Sequence, residues 1–158
     1  MAEVLFYHLT RRPLEAAAPE ILEKVLARNW RAVVRLGDPA RLAALDARLW
    51  TFREDAFLPH GAAPDPHAHR QPIWLTCGPE NPNGASFLML AAGAGAAPEE
   101  LARFDRAAWL FEGADAEALA GARTAWRGVV AAGLKAVYWA EAEQGWTKKA
   151  EAGEGANR

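Results

Sequence analysis

Arg123 and Arg127 stand four residues apart, with Trp126 beside them. On a helix that spacing puts two guanidinium groups on one face, a turn apart, next to an indole. A guanidinium forks onto a carboxylate, and an indole brings a large apolar wall. With Leu110 and Phe111 at the end of the preceding strand, such a face suits a peptide that ends in a carboxylate beside an aromatic residue. A plainer arrangement has the same spacing: two solvated helix charges and a core tryptophan. Periodicity by itself favours the plainer one, with Leu119, Ala122, Val129 and Val130 turned toward the core.

Two other groups carry reactive side chains. His60, His67 and His69 share one loop, and imidazole is a good zinc ligand. A stable zinc site wants three or four ligands on a firm frame with supporting partners, and Asp65 is the one evident carboxylate nearby. Solvated loop histidines are expected instead. Cys77 follows a predicted strand, where a nucleophile would need a base such as one of those histidines. A buried structural thiol is the simpler expectation. Cys77 is the single cysteine, which excludes an intrachain disulfide and a multi-cysteine zinc site. No carboxylate pair suggests acid–base work. A small hydrolase or metal-dependent enzyme using Cys77 and the loop histidines is therefore the alternative reading, and no catalytic residue, metal or cofactor is assigned.

The elements that must position these residues follow from pattern. Val4-Leu5-Phe6-Tyr7-His8-Leu9 is an apolar run rich in strand formers. Leu14, Ala18, Ile21, Leu22, Val25 and Leu26 recur at helical spacing. Pro19 interrupts them, and the helix either begins there or starts earlier with a kink. A strand over 32–36 leads to Gly37-Asp38-Pro39, which reads as a turn, an N-cap carboxylate and a first-turn proline. The helix after it turns Leu42, Leu45 and Leu49 to one face, and this order predicts a parallel strand–helix–strand unit.

Residues 51–71 read as one long proline-studded loop. Strands are expected over 72–76, 86–91, 107–111 and 134–142, with the last helix opening near Asp115 and stopping at Gly133. The expected architecture is a single open Rossmann-like α/β domain over 1–150. It has a mostly parallel sheet of about six strands with helices on both faces, and a flexible tail over 151–158.

An α/β sheet raises the question of a nucleotide. The first strand-to-helix turn would have to carry phosphate-binding glycines, but it reads Thr10-Arg11-Arg12-Pro13. Gly93-Ala94-Gly95 lies in an alanine-rich loop, and there is no P-loop pattern. Nucleotide binding is not expected.

Composition narrows the classes further. The 158 residues suit one domain, and a net charge of −2 argues against a dedicated nucleic-acid binder. Seven tryptophans exceed what one small core needs, so a few can line a docking surface. Residues 1–9 lack the pattern of a signal peptide, and no apolar run nears the roughly 20 residues of a membrane span. A cytoplasmic protein is expected.

Four segments in order resemble the DNA polymerase III chi family. They are Phe6-Tyr7-His8-Leu9; Leu45-Asp46-Ala47-Arg48-Leu49-Trp50-Thr51-Phe52 continuing to Phe57-Leu58-Pro59-His60-Gly61; Pro72-Ile73-Trp74-Leu75-Thr76 with Asn81-Pro82-Asn83-Gly84; and Ala122-Arg123-Thr124-Ala125-Trp126-Arg127. The second segment is the most specific.

The resemblance implies a non-catalytic adaptor within the replisome, at the nucleoid, touching DNA only indirectly. One surface would take the acidic, apolar C-terminal tail of single-stranded-DNA-binding protein (SSB). Arg123 and Arg127 fall at basic tail-binding positions of the family, Trp126 at an aromatic one and Phe111 at an apolar one, which reverses the weighting given by periodicity. A second surface, around Trp50, Phe52 and Phe57, would receive the psi subunit or another clamp-loader component. The chain departs from better-known members in its proline- and histidine-rich loop over 61–70 and after Trp146.

Overall fold

The computed structural model describes residues 2–51 and 58–153. β1 (Glu3–Leu9) is followed by α1 (Leu14–Ala27), β2 (Ala32–Leu36) and α2 (Pro39–Thr51). Next come β3 (Gly61–Ala62), a 3-10 turn at Ala68–Arg70, β4 (Ile73–Thr76) and β5 (Phe87–Ala91). A short α3 (Pro98–Leu101), β6 (Arg106–Glu112), α4 (Ala116–Ala131), β7 (Lys135–Glu141) and β8 (Trp146–Ala152) complete the order.

The strands form one sheet in the order β3-β4-β2-β5-β6-β1-β7-β8. Every described pairing is parallel except β7 with β8. This is the open, mostly parallel α/β architecture the sequence predicts, with eight strands instead of about six. β1 and β2 are parallel as expected, but β5 and β6 lie between them.

The two extra strands sit at the edges. Gly61 and Ala62, inside the expected loop, pair with Trp74 and Leu75 of β4. β8 is joined to β7 by a tight turn in which the Ala142 N–H donates to the Gly145 carbonyl at 3.0 Å. Gly145 takes φ +76 there, a value that suits glycine. The strand runs on through Glu151 and Ala152, which the sequence had assigned to the tail. Lys148 and Lys149 make it a charged edge, and such a strand has no apolar alternation to announce it.

α1 starts at Leu14 and carries Pro19 buried inside it, which decides the question the sequence left open. Asp38 and Asp115 cap α2 and α4. The Asp38 carboxylate accepts the Ala40 N–H at 2.9 Å, and that of Asp115 accepts those of Glu117 and Ala118 at 3.0 and 3.2 Å. α4 ends as predicted at Gly133, φ +78. The Gly133 N–H donates to Val130 and that of Leu134 to Val129, the double closure that satisfies the last carbonyls of a helix.

Strand alternation divides the core between the two faces of the sheet. Leu9, Val34, Met89 and Leu110 pack toward α1 and α2, whereas Phe6, Val33, Leu88 and Phe111 pack toward α4. Central strands buried on both faces read as unbroken apolar runs, which is why β1, β2 and β5 were visible in the sequence. No helix among the described residues is long and apolar enough to cross a membrane.

Candidate functional site

Open α/β sheets hold ligands at the carboxyl ends of their strands, where neighbouring connections diverge to opposite faces. Here that place lies between β1 and β6, from which α1 and α4 leave on opposite sides. A cavity of about 370 Å³ opens there, lined by Leu14, Arg41, Phe111, Glu112 and Asp115 among others. The backbone donors of the adjoining turn after β1 are engaged: Glu141 accepts the N–H groups of Arg11 and Arg12 at 2.9 and 3.0 Å and a further bond from Arg12 Nε. Glu112 accepts the Leu14 N–H at 3.1 Å and an Arg41 guanidinium N–H at 3.0 Å. Burial alone would raise the Glu141 pKa, but the Arg12 side chain and the two amides outweigh it and hold the carboxyl below its ordinary value. A phosphate approaching this turn meets carboxylates, not free amides, so the geometry agrees with the missing glycines.

The second candidate is the outer face of α4. Arg123 and Arg127 are both exposed, and neither takes part in an ion pair with a described residue. Trp126 is half-buried. Its ring stands edge-on to Phe6 at 5.4 Å and to Tyr138 at 6.1 Å, so β1 and β7 fix the indole against the sheet.

Phe111 lies beneath this face and not on it: 3% exposed, it stacks on His8 at 5.0 Å. Leu110 does not join it, because alternation along β6 sends that side chain to the α1 side. Ala122 and Val129 are core residues as expected and Leu119 is half-buried, but Val130 is 39% exposed at the end of the helix.

His8 and Tyr138 belong to this neighbourhood and were missed by the sequence reading. The Tyr138 hydroxyl lies 2.8 Å from His8 Nδ1. Burial and the nearby charge of Arg123 both hold the His8 imidazole below its ordinary pKa. Burial raises that of Tyr138 while Arg123 opposes it. Strand alternation was the available signal: residues 4, 6 and 8 of β1 share a face, as do 136, 138 and 140 of β7.

Trp50, at the end of α2, is 57% exposed, with its ring 5.0 Å from that of His60. Phe52 and Phe57 lie outside the described residues.

His60 corrects the expectation of a solvated loop. It is 8% exposed, with Nδ1 2.7 Å from the Leu58 carbonyl and Nε2 2.8 Å from Asp46. His67 and His69 are exposed as expected. Cys77 is exposed, not the buried thiol expected, because β4 ends at Thr76 and the chain turns outward there. Among the described residues no group of three or more histidine, cysteine or acidic side chains could hold a metal ion.

The fold is thus an open, mostly parallel α/β sheet, with one helix carrying a half-buried indole and two exposed arginines that no described residue pairs. Residues 1–137 match the family model described as DNA polymerase III chi subunit, HolC, and the chain belongs to that family. It is also similar to a "Probable DNA polymerase III subunit chi" of Rickettsia prowazekii (strain Madrid E), 32% identical over 90 residues. That match spans 57% of this chain and 54% of the Rickettsia protein, about half the relative's length.

Proposed function

We propose that this chain is a non-catalytic adaptor that links the clamp-loader complex to SSB during DNA replication, gripping the acidic C-terminal tail of SSB on α4. Family membership supports the place in the polymerase assembly. The observation that carries the docking role is the pair of exposed guanidiniums, Arg123 and Arg127, on the helix that carries the half-buried Trp126, with no carboxylate among the described residues claiming either. Unpaired cations beside an aromatic shelf suit a strand of acidic residues that ends in an apolar side chain and a carboxylate. The overall charge of −2 disfavours direct DNA binding, so contact with DNA runs through SSB.

The exposed Trp50 is the anchor of a second docking surface, for the psi subunit or another clamp-loader component. A bulky indole that is 57% exposed beside a buried histidine is poorly explained as core sealing and well explained as an interface residue. An enzyme built on Cys77 and the loop histidines has less support, since both nitrogens of His60 are already engaged.

Calorimetric titration of the purified chain with full-length SSB and with SSB lacking its last few residues tests the main claim. Heat with the first and none with the second is the expected result. Equal binding to both overturns the docking role of α4. Metal analysis of the same preparation addresses the enzymatic alternative, since stoichiometric zinc would contradict an adaptor.

A further inference from the structure

We propose that Tyr138 is a third polar contact on this docking face, its phenol hydrogen bonding the carboxylate that ends the bound peptide while His8 acts as its positioning residue. The inference rests on the tail-docking reading above. It starts from three facts. The Tyr138 ring packs edge-on to Trp126, with 6.1 Å between the ring centroids, so the phenol neighbours the indole of α4. It is partly exposed. Arg123 stands three residues before Trp126 and so neighbours it on the surface of α4, and its charge is felt at both Tyr138 and His8. A carboxylate on Arg123 therefore comes within the neighbourhood of the phenol.

The 2.8 Å contact between the Tyr138 oxygen and His8 Nδ1 can be made in two ways. If the imidazole proton sits on Nε2, the phenol donates to Nδ1 and turns its lone pairs outward, toward Arg123. If Nδ1 carries the proton, the ring donates to the phenol oxygen, and the phenol O–H is free to donate elsewhere. A bound carboxylate needs donors and selects the second state.

The His8 ring has little freedom to leave this geometry. It stacks on Phe111 with an interplanar angle of 20°, and a Cβ placed on Gly113 would strike it. The groups facing it are Tyr138 from β7, Arg123 from α4, and the uncharged Phe111 and Gly113 of β6 and the turn after it. Protonation of His8 fixes Nδ1 as a donor and adds a positive charge. In the free protein burial and Arg123 oppose that protonation, and a bound carboxylate offsets their effect. Peptide binding then takes up a proton and tightens as pH falls toward the ordinary imidazole range of about 6.5.

Fluorescence anisotropy with a labelled, aspartate-rich peptide ending in phenylalanine, as the free acid and as the C-terminal amide, tests this. Tyr138→Phe keeps the ring against Trp126 and removes only the hydroxyl. It should weaken the free acid about tenfold and leave the amide unchanged. His8→Asn, which places a non-titrating polar group near Nδ1, should flatten the gain in affinity that the wild type shows between about pH 7.5 and 6. A wild type that ignores both peptides overturns the docking reading and this one with it. A wild type that binds, with Tyr138→Phe losing equally on acid and amide or losing nothing, overturns this inference alone. So does a pH profile unchanged by His8→Asn.

Discussion

The Arg35 guanidinium, 7% exposed at the centre of the sheet, meets both oxygens of Glu100, at 3.0 and 2.6 Å. It also donates to the carbonyls of Gly78 and Pro79 after β4 and of Gly95 after β5. One side chain on β2 thus ties together the two loops at the carboxyl end of the sheet and the helix turn that carries Glu100. These loops have little apolar surface of their own, so the fork does the holding that a core would do elsewhere.

Removing Glu100 should therefore cost more than losing a surface ion pair, because Arg35 stays buried without the carboxylate that meets it. Glu100→Gln is expected to destabilise the fold by about 1–3 kcal/mol, and Arg35→Ala by about 3–5 kcal/mol. The double variant should lose much less than the sum. Urea denaturation of all four proteins measures this, and strictly additive losses would show that the two side chains do not act as a unit.

Glu141 predicts an acid-sensitive turn. Its side chain is 3% exposed and holds the two amides and the Arg12 Nε–H after β1. The folded-state pKa is depressed, so the stabilisation is fully present above the unfolded glutamate value of about 4.3 and is lost as pH falls below it, toward the folded value. Thermal melts of the wild type should drop through that acid window. In Glu141→Gln the stability at neutral pH should be lower by about 2 kcal/mol, with a shallower acid decline. Parallel pH profiles would rule out this assignment.

The α4 cap separates stability from docking. Asp115→Ala removes the acceptor for Glu117 and Ala118 and should cost about 1 kcal/mol, read from a urea melt. Arg123 and Arg127 lie two and three turns further along, and packing of Ala122 and Val129 holds that stretch. Affinity for an SSB-tail peptide should stay within about twofold of wild type. A tenfold loss would mean that the helix start belongs to the binding surface.

The frame of the fold was legible because its causes are local and strong. Buried central strands advertise themselves as apolar runs, and Asp38, Asp115 and Gly133 mark helix ends through chemistry that acts within one turn. β3 and β8 were not legible. A two-residue strand has no period, and Lys148-Lys149 looks like solvent-facing coil until Trp146 and Ala152 are seen paired to β7. The candidate site was half legible. Helical spacing put Arg123, Trp126 and Arg127 side by side and only the family resemblance weighted them as a docking face, while reading Leu110 and Phe111 as neighbours ignored the alternation that sends them to opposite faces. His8 and Tyr138 meet only because β1 and β7 pair across a separation of 130 residues, which no short window contains. His60 was misread because its burial depends on Asp46, which reaches it from α2.

Trp50 offers a clean separation of interface from fold. A residue 57% exposed contributes little to the core, so Trp50→Ala should change stability by about 1 kcal/mol or less. If it anchors a clamp-loader partner, the same change should cost about 2 kcal/mol or more of binding to purified psi or clamp-loader complex, and leave SSB-tail affinity untouched. Surface plasmon resonance with both partners on one sensor distinguishes the surfaces. Loss of tail binding in this variant would merge them into one.

Arg123 and Arg127 should contribute unequally and in a salt-dependent way. Arg123→Ala is expected to cost about 1.5–3 kcal/mol of tail-peptide binding, the range for a charge-assisted hydrogen bond. Arg127 is also exposed and lies one helical turn further along α4 than Arg123, the arginine whose charge is felt at His8 and Tyr138. Arg127→Ala should therefore cost less and act mainly through the field along the acidic segment. That field is screened with a Debye length of about 8 Å at physiological ionic strength. Raising salt from low to physiological levels should shrink the Arg127→Ala effect toward nothing while leaving most of the Arg123→Ala effect, because a short contact against an aromatic wall is screened less. Peptide titrations of both variants at two salt concentrations read this directly. Equal salt sensitivity would place the two guanidiniums in equivalent roles and remove the distinction between a terminal grip and a guiding charge.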